Sequence, residues 1–174
     1  MARLTIGAAE AEFRRYRALA QAAAEQLPWA QWRISLDPEI NSIAVVMKHV
    51  AGNLRSRWTD VLTTDGEKPW RNREAEFADR DIPTSKLMKE VDELTYRVKE
   101  IVSNLTDEQF NGLYPLNDGK KWKYTSERLF QLLGHLNYHL GQINYHRRLL
   151  DQPVSLPDAV NQLDHPNKLA TSKK

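Results

Sequence analysis

Cysteine is absent from the chain altogether. That excludes disulfides, and it excludes any protein thiolate as nucleophile or metal ligand; it also fits a cytoplasmic setting. No run approaches eighteen apolar residues, so the sequence offers no membrane span and no membrane partner is expected. The N-terminus, MARLTIGAAEAEF, lacks the apolar stretch and cleavage site of a secretory signal. An excess of one charge is missing too: 25 basic residues are interspersed with 23 acidic ones, for a net charge of +2. Nucleic-acid binders carry a one-sided basic stripe. The nearest thing here is Lys168, Lys173 and Lys174, which read as part of a solvated tail, so no nucleic-acid partner is expected.

What is present suits one soluble domain. The 174 residues are 41% hydrophobic and 28% charged, enough for a single core. Four segments carry helical periodicity. The first runs from about Ala8 to Leu27, with Phe13, Tyr16, Ala20, Ala23 and Leu27 three and four apart, and Pro28 stops it. The second is expected to open at Asp37-Pro38-Glu39, an N-cap followed by proline and an acid. It continues to about Leu62, with Ile43, Met47, Val50, Leu54, Trp58 and Val61 on one stripe. A long segment rich in turn residues follows, with Asp65-Gly66, Pro69 and Pro83; long ordered loops are often functional. The third helix spans about Thr84 to Leu105, and Thr106 to Gln109 reads as a capping box opening one short turn. A short strand is possible around Lys121 to Tyr124. The fourth helix starts near Thr125 or Ser126 and runs to about Leu150. These elements predict an all-α four-helix bundle over residues 1–151, followed by a C-terminal tail over 152–174. There is no internal repeat.

Three of the five histidines fall inside HLNYHLGQINYH, residues 135 to 146. At about 100° per residue, His135, His139 and His146 share one face, roughly 90° from the centre of the leucine stripe. His135 and His139 are one turn apart and can converge on one metal ion. His146 lies about 16 Å from His135 along the axis, too far to share it, and takes a structural role by default. A third ligand must come from elsewhere. His49 is about 140° from the main stripe of its helix, but Ser42, Val46, His49, Asn53 and Ser56 form a second stripe that could line a cleft. His165, in the tail, is a less rigid candidate. Gly141, costly inside a helix, suggests close packing or ligand access beside the pair. HLNYH is not HExxH, so the general base of the zinc proteases is missing. The bland alternative is that these histidines are satisfied polar groups.

These residues resemble the DinB-like family of metal-binding four-helix bundles. That family places one histidine on its second helix and an HxxxH pair on its last, often followed by Gly-Gln. His49, His135 and His139 match, as does HLGQ from His139 to Gln142. NSIAVVMKHVAGNLRSRW, DGEKPWRNR and HLNYHLGQINYHRR look like a bacterial subfamily, and the resemblance covers about residues 8 to 151. Leu140 departs from it, because many members carry arginine there. The resemblance implies a divalent metal, zinc or nickel most readily, held by three histidines in a groove, often in a homodimer. Similar proteins include transferases dependent on bacillithiol, mycothiol or glutathione, and a mycothiol-dependent isomerase.

Two functions follow as expectations. In one, His49, His135 and His139 hold a metal whose open position activates a low-molecular-weight thiol for transfer to a small-molecule substrate, or activates water for hydrolysis. In the other, the metal is structural or absent and the chain is a stress-related interaction bundle. Asn53 and Gln142 are substrate-contact candidates. Arg55, Arg57, Arg71 and Arg73 read as a solvated face before they read as the rim of an anionic pocket. Trp29, Trp32, Trp58, Trp70 and Trp122, with Tyr138 and Tyr145, read as packing residues.

Overall fold

A computed structural model describes residues 2–78, 83–116 and 121–150. The expected tail, with His165, lies outside the described residues. Within them the protein is all-α but for one small hairpin.

Helix α1 is Ala2–Glu25, starting a turn and a half earlier than the sequence suggests. Ala2, Ile6, Ala9 and Phe13 are all buried, so the four-three spacing that marks the helix reaches almost to its first residue. Pro28 precedes a single turn, α2, Trp29–Trp32, whose Trp32 is 1% exposed.

Helix α3 is Ile43–Trp58, shorter at both ends than expected. The Asp37-Pro38 signal forms a turn instead: Asp37 Oδ1 accepts from the Glu39 N–H at 2.9 Å and its carbonyl from Ile40 at 3.0 Å. Ile34, Leu36 and Ile40 are exposed there, so no apolar face would reward a helix. From Ser42 to Val50 every residue is buried, and Ser42 is the cap, its Oγ accepting from Val45 N–H at 3.3 Å. At the other end Asp60 adopts a left-handed φ of 50°, and the helix stops at Trp58.

The long segment after α3 carries its own turn of helix, α4, Arg73–Phe77, capped by Asn72 Oδ1 on the Ala75 N–H at 3.0 Å. Helix α5, Thr84–Asn104, falls where its pattern predicts. The Thr106–Gln109 capping box forms and opens α6, Asp107–Asn111. Strands β1, Leu113–Leu116, and β2, Lys121–Tyr124, pair antiparallel with Leu113 opposite Tyr124. Helix α7, Thr125–Leu149, follows directly. Its entry is fixed by Glu127, whose Oε2 accepts from the Tyr124 N–H at 3.0 Å.

The four long helices pack around one another, α1 and α3 each touching both α5 and α7. Phe13, Leu54, Trp58, Val98, Val102 and Leu129 join in one buried cluster. Leu27, Trp32, Ile43, Met47, Leu87 and Ile143 form a second. Leu129 is fully buried, and truncating such a leucine to alanine costs about 3 kcal/mol. With the leucine face of α7 turned inward, its histidine face turns toward α3 and α4, and a groove opens between them.

Candidate metal centre

His49, His135 and His139 come together at one end of that groove, which His49 and His135 line, and their ligand nitrogens all lie within 4.8 Å of one another. The second stripe of α3 puts His49 there: Ser42, Val46, His49, Asn53 and Ser56 are all buried against the neighbouring elements. His135 and His139 stand one turn apart on α7, their Nε2 atoms 3.0 Å from each other. Nitrogens sharing a tetrahedral ion at about 2.1 Å sit roughly 3.4 Å apart, so gathering the third requires about an ångström of side-chain adjustment.

The outward nitrogens are fixed by partners. His49 Nδ1 meets Glu76 Oε2 at 3.0 Å, so it carries the proton and leaves Nε2 free. Glu76 is itself clamped by Arg71, Nε to Oε1 at 2.8 Å and Nη2 to Oε2 at 3.0 Å. The Arg71 and Glu76 side chains are only 5% and 10% exposed. Phe77 lies on the His49 ring, centroids 4.9 Å apart. His139 Nδ1 donates to Gln142 Oε1 at 2.7 Å, and Gln142 Nε2 donates on to Tyr138 Oη at 3.0 Å. In both cases a carboxylate or carbonyl sets the tautomer that points the Nε2 lone pair inward, as histidines that ligate metals require. With His139 Nε2 an acceptor, the 3.0 Å contact is donated by His135 Nε2–H; an ion would take that proton's place.

The electrostatics keep the rings neutral. Burial pushes His135 down from 6.5 to about 4, helped by His139, His49 and the nearby Arg57 and Arg71. Burial also lowers His49, outweighing the opposite pull of Glu76, and lowers His139 against Gln142. Burial alone would raise Glu76, but the bonds from Arg71 and His49 hold it below the usual carboxylate range. Three neutral imidazoles at neutral pH are a competent donor set for a borderline divalent ion.

Asn53 lines the groove beside His49, with Arg57, Arg71, Arg73, Arg128, Gln131 and His135 around a cavity of about 320 Å³. Three of the four arginines that the sequence favours as a solvated face therefore face the groove. Only Arg55 points elsewhere, pairing with Glu90 on an exposed surface. Gln142 reaches His139, and Tyr138 is exposed with its ring 5.1 Å from that of His139, not packed in the core. Tyr145 and Trp70 are likewise exposed, whereas Trp32 and Trp58 are core residues. His146 is buried away from the cluster, its Nε2 donating to the Ile34 carbonyl at 2.8 Å, which is the structural role expected for it.

Glu76, Gly52 and Arg128 are functional neighbours that sequence reasoning missed, and the pairing of Arg71 with Glu76 was not foreseen. Glu76 is 27 positions from His49, and nothing local announces the bond. Gly52, nearly one turn past His49, was a visible signal: a Cβ there would overlap the Glu76 carboxylate. Gly141, which the sequence singles out, has nothing within 4 Å of where its Cβ would be. It provides no close packing.

Fold and site together define an all-α protein with three histidines from two helices gathered at a groove, able to hold a metal ion. The chain belongs to the family described as "Protein of unknown function (DUF1572)", whose model matches residues 1–154. No curated protein and no solved structure matches it.

Proposed function

We propose that the protein is a divalent-metal-dependent transferase in which a low-molecular-weight thiol is the nucleophile. The observation that carries this reading is the convergence of His49, His135 and His139 on one point beside an open groove, two of them buttressed by Glu76 and Gln142. Three protein ligands leave a fourth position for a reactant, whereas structural zinc sites are closed by four. The ring of four long helices supports a four-helix bundle of the DinB-like kind, a family that the sequence resembles and that includes thiol-dependent transferases.

The surroundings favour a thiol over water. A bound divalent ion supplies Lewis acidity that lowers a thiol's pKa from about 8.5 to neutral or below. Hydrolysis by metal-activated water is commonly assisted by a free carboxylate base, as in HExxH enzymes. Here Glu76 is committed to Arg71 and His49, and Glu67, the acid lining the groove, is held by Arg57 at 2.7 Å. The histidines' role is to stay neutral and oriented, Asn53 and Gln131 offer neutral polar contacts, and the thiol proton leaves to solvent through the groove mouth.

The test is thioether formation from glutathione and 1-chloro-2,4-dinitrobenzene with zinc- or nickel-loaded protein. The expected result is a rate above the uncatalysed one that disappears with chelation and in His139→Ala. Ester hydrolysis without any thiol, by the same loaded protein, would replace this reading with a hydrolase.

A further inference from the structure

The groove has two ends. Along α3, His49, Asn53 and Arg57 recur one turn apart; along α7, Arg128, Gln131, Leu132 and His135 do the same in the opposite sense. The histidines meet at one end. At the other, Gly66 shows how close the arginines come: a methyl group on it would touch Arg57 Nη1 at 3.1 Å and Arg128 Nη2 at 3.5 Å. Arg57 lies two turns beyond His49, and Arg128 two turns before His135. The histidine and arginine ends are therefore roughly 10–12 Å apart along the axes.

The arginines are not equivalent. Arg71 is neutralised by Glu76 within the buttress, whereas Arg57 gives its Nη2 to Glu67 at the exposed edge and turns its Nη1 toward Gly66, on the side of Arg128. Arg128 is different. It is 4% exposed, lies over the Tyr114 ring at 4.9 Å, and feels Asp65 through space. Its Nε and Nη2 have no hydrogen-bond partner among the described residues. A ring satisfies the face of a guanidinium and leaves its edge of donors unmet, and an unmet buried edge is costly. Arg128 is one of the side chains that line the groove, and fork-shaped donors match the paired oxygens of a carboxylate, phosphate or sulfonate.

We propose that the groove takes an anionic small molecule whose oxyanion is held between Arg57 and Arg128, with its reacting atom some 10 Å away at the histidine cluster. The position of the reacting end rests on the metal-dependent reading above; the oxyanion contact does not. Asn53, Gln131 and Leu132 line the stretch between, a mostly neutral channel suited to an uncharged spacer.

The test is calorimetric titration of metal-stripped protein with inorganic phosphate, and separately with succinate, at ionic strength held constant with chloride. Saturable binding of at least one oxyanion is expected, and the preferred one separates a phosphate from a carboxylate substrate. Arg128→Met and Arg57→Met should each weaken it about tenfold or more, the effect of losing one charge-assisted hydrogen bond. Arg55→Met, outside this groove, should leave it unchanged. Arg57→Met keeps the test open if the buried Arg128 variant fails to fold by circular dichroism. No saturable binding, or binding that survives both substitutions, overturns the proposal. Zinc content measured on the same samples separates the two readings. Zinc-binding protein without oxyanion affinity sinks only the anion site, and oxyanion binding without zinc sinks only the metal site.

Discussion

The histidine end and the arginine end of the groove handle buried polar groups in opposite ways. At the histidine end the outward nitrogens of His49 and His139 are engaged and their Nε2 lone pairs point inward. At the arginine end, Arg128 keeps donors that no described residue meets. The first arrangement is finished apart from an ion, since buttressed imidazoles need only small adjustments to ligate. The second is unfinished until an anion completes it. Buried polar groups are nearly always satisfied, so the contrast separates a preorganised ligand cage from a ligand's own docking point.

The largest effect should come from breaking the buttress. Glu76→Ala strips a buried guanidinium, Arg71, of its bidentate partner. It should cost about 3 kcal/mol of stability, the lower end for a buried pair broken on one side; urea denaturation measures it. Glu76→Gln keeps the volume, and its expected effect is a metal affinity lower by about 10- to 100-fold, read by competition with a chelating dye. Gly52→Ala attacks the same bond indirectly. Alanine is the better helix former by up to about 1 kcal/mol, yet its methyl would displace the carboxylate, so metal affinity should fall about tenfold while the helix survives. An unchanged affinity would mean that Glu76 does not orient His49.

Acidity sharpens the comparison further. His135 sits at about 4 when folded, against 6.5 ordinarily. Between those values the unfolded chain takes up a proton that the folded one refuses, so stability is full above pH 6.5 and declines as pH falls toward 4. His49 and His139 act in the same direction. In chelator, the urea midpoint should drop between pH 7 and pH 5, and His135→Gln should lessen that drop. The smallest effect belongs to His146→Gln, which gives up a bond to the Ile34 carbonyl. It should cost about 1 kcal/mol and leave metal content untouched, because face alone does not make a histidine part of the cluster.

Much of this was legible in local pattern. The period of Leu87, Val91, Leu94, Val98, Ile101 and Leu105 located α5 within a residue, and the Thr106–Gln109 box formed as written. The stripe from Ser42 to Ser56 brought His49 to the α7 pair because small and polar residues there admit a neighbour. What could not be read was tertiary. Asp37-Pro38 is a sound helix start, but the exposed residues after it give a helix nothing to bury, and Ser42 caps instead. The arginines read as solvent-facing because sequence alone cannot show the loop carrying Arg71 and Arg73 folding back over α3. Arg128 drew no notice at all, since its distinction is a missing partner.

Metal content tests the central claim most directly, measured by elemental mass spectrometry on wild type and His139→Ala after incubation with zinc and nickel. The account predicts close to one equivalent in the wild type and almost none in the variant. Metal-free wild-type protein, or equal metal in both, would contradict it.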